Sequence, residues 1–166
     1  FAAVLCRDAD SVPSGSRVTL AAVPKLPAEM ESFFQVLDTE GIHYPFDKKR
    51  LLVQNGYVQY IPAGMPELKG LHIMRSGWFL GELKKKRFEP SGAFARGLTP
   101  DVCDKVIAYP GDSEDVVRYL KCETLQVDPN LKNGWYLICV DEFALGWGKV
   151  SNGTLKNKYP SGWRLV

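Results

Sequence analysis

Two histidines and four cysteines are the side chains of this sequence best suited to nucleophilic, acid–base or metal chemistry. His43 and His72 sit among apolar residues with no acid or cysteine at ligand spacing, so they read as packed or surface imidazoles. Cys6, Cys103, Cys122 and Cys139 are far apart and form no C-x-x-C pair, the pattern of reduced thiols in an intracellular protein rather than of a zinc site or a disulfide framework. Neither H-E-x-x-H, G-x-S-x-G nor a phosphate-binding G-x-x-x-x-G-K-[ST] occurs. Gly146-Trp147-Gly148 lacks the third glycine of a dinucleotide loop and is expected to mark close approach of two backbones in a small barrel. Asp141-Glu142 reads as a hairpin turn rather than a carboxylate dyad, and the sequon Asn152-Gly153-Thr154 as a second turn.

The charges carry more information. Net charge is only +2, but the distribution is segregated. Lys84, Lys85, Lys86 and Arg87 form an unbroken basic run. From Phe143 to Val166 the bases Lys149, Lys156, Lys158 and Arg164 occur with no acid, interleaved with Trp147, Tyr159 and Trp163. Thr99 to Asn130 instead carries seven acids and three bases. Cations mixed with aromatics suit phosphate contacts combined with base stacking. The alternative reading is a solvated lysine turn beside an ordinary aromatic core.

Several elements must position these residues. Pro27 and Gly41 bracket a helix whose Met30, Phe33, Phe34 and Leu37 share one apolar face. Leu51–Gln54 and Tyr57–Ile61 flank Asn55-Gly56 as a hairpin. Leu71 and Ile73, then Trp78, Leu80 and Leu83, suggest another hairpin turning at Ser76-Gly77. Pro90–Leu98 and Thr99–Ile107 are expected to be short helices, the second with Thr99 as cap and Pro100 in its first turn. Asp112 or Ser113 should cap a further helix that buries Val116, Val117 and Leu120. Trp135–Val140 and Phe143–Val150 return to strands, and the turn at Asn152-Gly153 leads to Leu155. Phe1–Leu5 and Arg17–Val23 also read as strands. The 166 residues contain no apolar run near the ~18 residues of a membrane helix. With 45% hydrophobic and 24% charged residues they have a globular composition, which excludes disorder, a coiled coil or a collagen-like fibre. The expected fold class is α+β.

Three stretches support a resemblance. Leu68-Lys69-Gly70-Leu71-His72-Ile73-Met74-Arg75-Ser76-Gly77 runs into Leu80-Gly81-Glu82-Leu83-Lys84-Lys85-Lys86-Arg87-Phe88-Glu89-Pro90-Ser91. Tyr119-Leu120-Lys121-Cys122-Glu123 follows, and the tail has Val140-Asp141-Glu142-Phe143-Ala144-Leu145-Gly146-Trp147-Gly148-Lys149 and Leu155-Lys156-Asn157-Lys158-Tyr159-Pro160-Ser161-Gly162-Trp163-Arg164. From about residue 45 to 166 the chain resembles the C-terminal half of bacterial Sun-family RNA cytosine methyltransferases of the RsmF type, and its tail resembles their PUA-like RNA-binding domain. Two positions depart: Cys122 stands where the family pattern has glycine, and Lys158 where it has histidine.

The resemblance implies a small helix-plus-hairpin domain over residues 1–104, its first strand belonging to a catalytic domain outside the chain, followed by a PUA-like β-barrel over 105–166. It also implies a parent enzyme that uses S-adenosylmethionine and a cysteine thiolate to methylate carbon-5 of cytosine in small-subunit ribosomal RNA. The family's Thr-Cys-Ser and Pro-Cys stretches are absent, since Leu5, Val102, Lys121 and Ile138 precede the four cysteines. The chain, which begins at Phe1 rather than Met, is therefore expected to be a cytoplasmic, non-catalytic accessory region. Its own cofactor is none, and its partners are ribosomal RNA and a catalytic domain in cis. Its expected RNA contacts are Lys84, Lys85, Lys86, Arg87, Lys149, Lys156, Asn157, Lys158, Tyr159 and Arg164. The alternatives are a stand-alone interaction module and, third, a secreted carbohydrate-binding domain.

Overall fold

The structure is a computed structural model that describes residues 26–61, 63, 77–85 and 87–166. The strand expectations for Phe1–Leu5 and Arg17–Val23, the Leu71–Ile73 arm and His72 lie outside the described residues.

The first helix begins as a 3-10 turn, Ala28–Met30, and continues as α1, Glu31–Glu40. It stops at Gly41, whose φ of 68° turns the chain back so that the Ile42 N–H donates to the Leu37 carbonyl at 2.8 Å. Met30, Phe33 and Leu37 are buried and Phe34 is half-buried, so the apolar stripe faces the core as its spacing requires. Phe33 lies edge-on to Phe34, Phe46 and Phe88 at centroid distances of 5.0–5.6 Å.

An antiparallel sheet follows, with strands β1 (Leu51–Gln54), β2 (Tyr57–Tyr60), β3 (Trp78–Lys84) and β4 (Arg87–Pro90) in that order. Asn55 and Gly56 have φ of 52° and 80°, the two left-handed residues a tight hairpin turn needs. β3 pairs with β2 and β4. Lys84, Lys85 and Arg87 of the basic run therefore sit at a hairpin tip.

The short helix α2 is Gly92–Arg96, and α3 is Glu114–Leu120. The helix expected over Thr99–Ile107 is not formed as such. Only Pro100–Val102 makes a 3-10 turn, and Val106–Tyr109 is a strand, β5. Its β-branched residues are drawn into a parallel pairing with β7 (Gly134–Val140), a long-range contact that local helix signals cannot reveal. Thr99 does take the position before Pro100, but its hydroxyl makes no capping bond. Ser113 caps α3, its hydroxyl accepting from the Asp115 N–H at 3.2 Å. Val117 is exposed and Tyr119 is buried in its place, because the short helix turns the 116/119 side inward.

β8 (Phe143–Ser151), β9 (Thr154–Asn157) and β6 (Leu125–Gln126) complete a five-stranded sheet, order β5-β7-β8-β9-β6, that curls into a half-barrel. One face of β7–β8 places Leu137, Cys139 and Trp147 in a core shared with α1, the first sheet and α2. The other face closes over Tyr119, Leu125, Tyr136, Ile138, Val150 and Leu155. The fold is α+β, as expected from the sequence.

Ser91 joins these parts. Its hydroxyl accepts from the Phe94 N–H at 3.0 Å as the N-cap of α2 and donates to the Phe79 carbonyl at 2.7 Å. Its own carbonyl accepts from the Trp147 indole N–H at 2.9 Å. The glycines flanking Trp147 answer to side chains, not to a second backbone as expected. A Cβ on Gly146 would stand 2.6 Å from the Tyr119 hydroxyl, and one on Gly148 2.8 Å from Leu155. The expected departure at Cys122 is also settled. Cys122 has φ of 61°, its N–H donates to the Tyr119 carbonyl at 2.9 Å, and the Glu123 N–H donates to the Arg118 carbonyl at 3.0 Å. That is the helix-ending motif glycine favours, kept here with a cysteine.

Candidate nucleic-acid interface

The turn at Asn152-Gly153, with φ of 50° and 73°, sets the register of β8 and β9 and so places Lys149 opposite Lys156. β7 pairs with β8 so that Trp135 lies opposite Lys149. Trp135, Lys149 and Lys156 thus form one cross-strand row on the outer continuation of the face that buries Trp147. Past β9, the Lys158 N–H donates to the Trp147 carbonyl at 3.1 Å and extends the pairing, which puts Lys158 on the same face. The ammonium groups of Lys149 and Lys158 each lie 5.8 Å from the centre of the Trp135 ring. No ion pair engages Lys149, Lys156, Lys158 or Arg164 among the described residues.

The hairpin tip borders this row through Glu89. Lys84 Nζ contacts Glu89 Oε2 at 2.6 Å and Glu82 Oε2 at 3.5 Å, and Arg87 reaches Glu89 at 3.9 Å. The Lys84 ammonium, helped by Arg87 and Lys158, holds the Glu89 carboxyl below its usual range against the effect of burial. In turn Glu89, with Glu82, raises the Lys84 ammonium. The two basic clusters of the sequence therefore meet in space around one carboxylate. Lys84 is engaged within the protein, while Lys85 and Arg87 are exposed and Lys86 lies outside the described residues.

The other expected contacts are placed differently. The Asn157 side-chain amide donates to the Tyr119 carbonyl at 2.7 Å and the Glu123 carbonyl at 3.1 Å, and its Oδ1 accepts from the Tyr159 N–H at 2.8 Å. It ties the tail to the end of α3. Tyr159 is half-buried against Tyr119 and Trp163 at 5.6 and 6.4 Å. Arg164 is exposed beside Trp163, whose ring carries the Arg96 guanidinium at 4.5 Å. Arg96 and Trp135 were not singled out from the sequence. Trp135 lay outside the acid-free tail, and its place beside Lys149 follows from strand register alone.

Two of the thiols do not suit nucleophilic work. Burial pushes the Cys103 thiol up to about 12 and the Cys139 thiol up to about 11, so both stay protonated at neutral pH. His43 has an acidic partner after all: Nε2 lies 2.9 Å from Asp104 Oδ1, a pair 61 residues apart that spacing could not show. Both groups are exposed. No group of three or more potential metal ligands occurs among the described residues.

Comparison with protein families decides the relationship. Residues 32–98 match the RsmF rRNA methyltransferase first C-terminal domain, and residues 107–165 match the methyltransferase RsmF PUA domain. The chain belongs to the RsmF rRNA methyltransferase family. It carries this family's C-terminal domains, and the first match begins at residue 32, so α1 belongs to it as well as the hairpins. No match was found among curated proteins. Membership implies that S-adenosylmethionine serves the parent enzyme. The residues described here do not fit that molecule. The strand-to-helix turn from β5 to α3 has a single glycine, Gly111, whose N–H already donates to Asp141 Oδ1 at 3.3 Å and whose Cβ position lies 3.1 Å from Asp141 Oδ2. Among the described residues no helix is long and apolar enough to cross a membrane.

Proposed function

We propose that this chain is the RNA-gripping accessory region of an S-adenosylmethionine-dependent methyltransferase acting on carbon-5 of a cytosine in small-subunit ribosomal RNA. Catalysis belongs to a domain outside the chain, linked in cis, and the protein works in the cytoplasm. The division falls near Asp104, with the hairpin domain before it and the PUA-like domain after it. Lys85, Lys86, Arg87, Lys149, Lys156, Lys158 and Arg164 contact phosphates. Lys84 joins them to the extent that it leaves Glu89. Asn157 and Tyr159 order the strand that presents the lysines.

The observation that carries this reading is the row Lys149–Lys156 with Lys158 beside it, three ammonium groups on one sheet face that form no close ion pair among the described residues. Such a row attracts a polyanion whose charges repeat along a line. The test is Lys149→Ala, Lys156→Ala and Lys158→Ala combined. Thermal melting should be nearly unchanged, since exposed charges of this sort contribute within ~0.5 kcal/mol each. Binding to ribosomal RNA fragments should weaken, and its salt slope flatten by about one unit per lost phosphate contact. Undiminished binding would overturn the reading and direct the search to a protein partner.

A further inference from the structure

We infer that Trp135 is a stacking platform for one unpaired base, so that the partner of this surface is single-stranded rather than duplex RNA. The inference rests on the RNA reading above and adds the kind of RNA taken.

Trp135 is half-buried. Its indole stands nearly perpendicular to that of the buried Trp147, at 81° and 6.4 Å. Its backbone N–H is held by Glu40 Oε2 at 3.0 Å, and Lys105 Nζ fixes that oxygen at 2.6 Å. The residue is therefore anchored both by the Trp147 indole and through its main chain. What remains of it faces Lys149 and Lys158. Both lysines are exposed, and neither forms a close ion pair among the described residues, Lys158 feeling Glu89 only at longer range. Ammonium groups in that situation keep their water, so the indole surface beneath them opens to solvent rather than to core. Lys156 continues the row one strand further.

A rigid aromatic face bordered by two cations, with a third one strand further, matches one nucleotide and its neighbours. The base stacks on the indole in place of the weak cation–π contacts, and the displaced ammonium groups pair with the flanking phosphates. A duplex can satisfy the lysines, but its bases are stacked on one another and offer no face to the ring. A protein ligand would need carboxylates for the lysines and would gain nothing particular from an unpaired base.

The experiment compares a single-stranded uridine oligonucleotide with a duplex of equal phosphate number, using the parent chain, Trp135→Leu and Trp135→Phe. Trp135→Leu should weaken single-strand binding by roughly tenfold, a typical loss for one stacked base. It should leave the salt slope and duplex binding unchanged, and Trp135→Phe should keep part of the difference. Equal losses for both RNAs, or none, overturn the inference. Should the leucine variant unfold, photocrosslinking of a 5-iodouridine oligonucleotide to the unaltered chain decides instead. An adduct on Trp135 supports the platform, and adducts confined to Trp163 or Tyr159, or none, overturn it. If Trp135→Leu is silent while the triple lysine variant binds poorly, the phosphate grip stands and only the platform fails. If the triple variant also binds normally, the RNA reading falls with it.

Discussion

Cys122 occupies a left-handed position with φ of 61° at the end of α3, in hydrogen bonds that a glycine would make at lower conformational cost. A side chain in that region costs about 1 kcal/mol or more, partly offset because glycine is more flexible when unfolded. Cys122→Gly should therefore raise stability by about 0.5–1 kcal/mol in urea titrations, even though it removes the weak 3.7 Å contact from Sγ to the Tyr159 carbonyl. Glu89 gives a pH signature. Its carboxyl is held low chiefly by Lys84, so its contribution is full above the ordinary glutamate range and is lost as pH falls through and below that range. Glu89→Gln should be less stable than the parent near about pH 6, and the gap should shrink towards about pH 3. The pair is partly exposed, so solvent screening keeps the whole effect modest.

At the scale of elements, α2 has only five residues and is too short to hold itself together. It persists because Ser91 caps it and binds both sheets, and because Phe94 packs on Trp147 at 5.6 Å. Ser91→Ala removes the cap and leaves the Phe79 carbonyl without its donor. The expected cost is about 1–2 kcal/mol, read as a lower urea midpoint with unchanged slope. Trp147→Ala should cost more, ~3–5 kcal/mol, because it opens a cavity where α2 and β8 meet and removes the indole donor to the Ser91 carbonyl. The helix at α1 and the hairpin at Asn55-Gly56 were readable because spacing, caps and turn residues agree locally. The strand β5 was not, because its partner β7 lies about 30 residues away and the intervening helix carries the stronger local signals.

For the whole molecule, one core draws on residues from Met30 to Trp147 and spans both family matches. Thermal unfolding followed by tryptophan fluorescence and by far-ultraviolet circular dichroism should therefore give coincident single transitions. Two separated transitions would mean that the shared core contributes little. The sequence by itself determined the α+β class, the Pro27–Gly41 helix, both Asn-Gly turns and the segregation of charge, because each is written in residues close together in the chain. It also determined that Lys149 faces Lys156, since a two-residue turn fixes the pairing without interruption. Only the tertiary structure decided what lies on the other side of Lys149. Counting back from Asp141-Glu142 puts Gly148 opposite Trp135. The structure places one extra residue, Leu145, in β8 between the partners of Ile138 and Cys139. That bulge shifts the register by one, and a shift of one exchanges the faces of a strand. Leu145 turns into the half-barrel beside Tyr136 and Ile138, whereas Trp147 remains on the side of Leu137 and α2. Packing on both faces selects the bulge, and the bulge brings Trp135, Lys149 and Lys158 together.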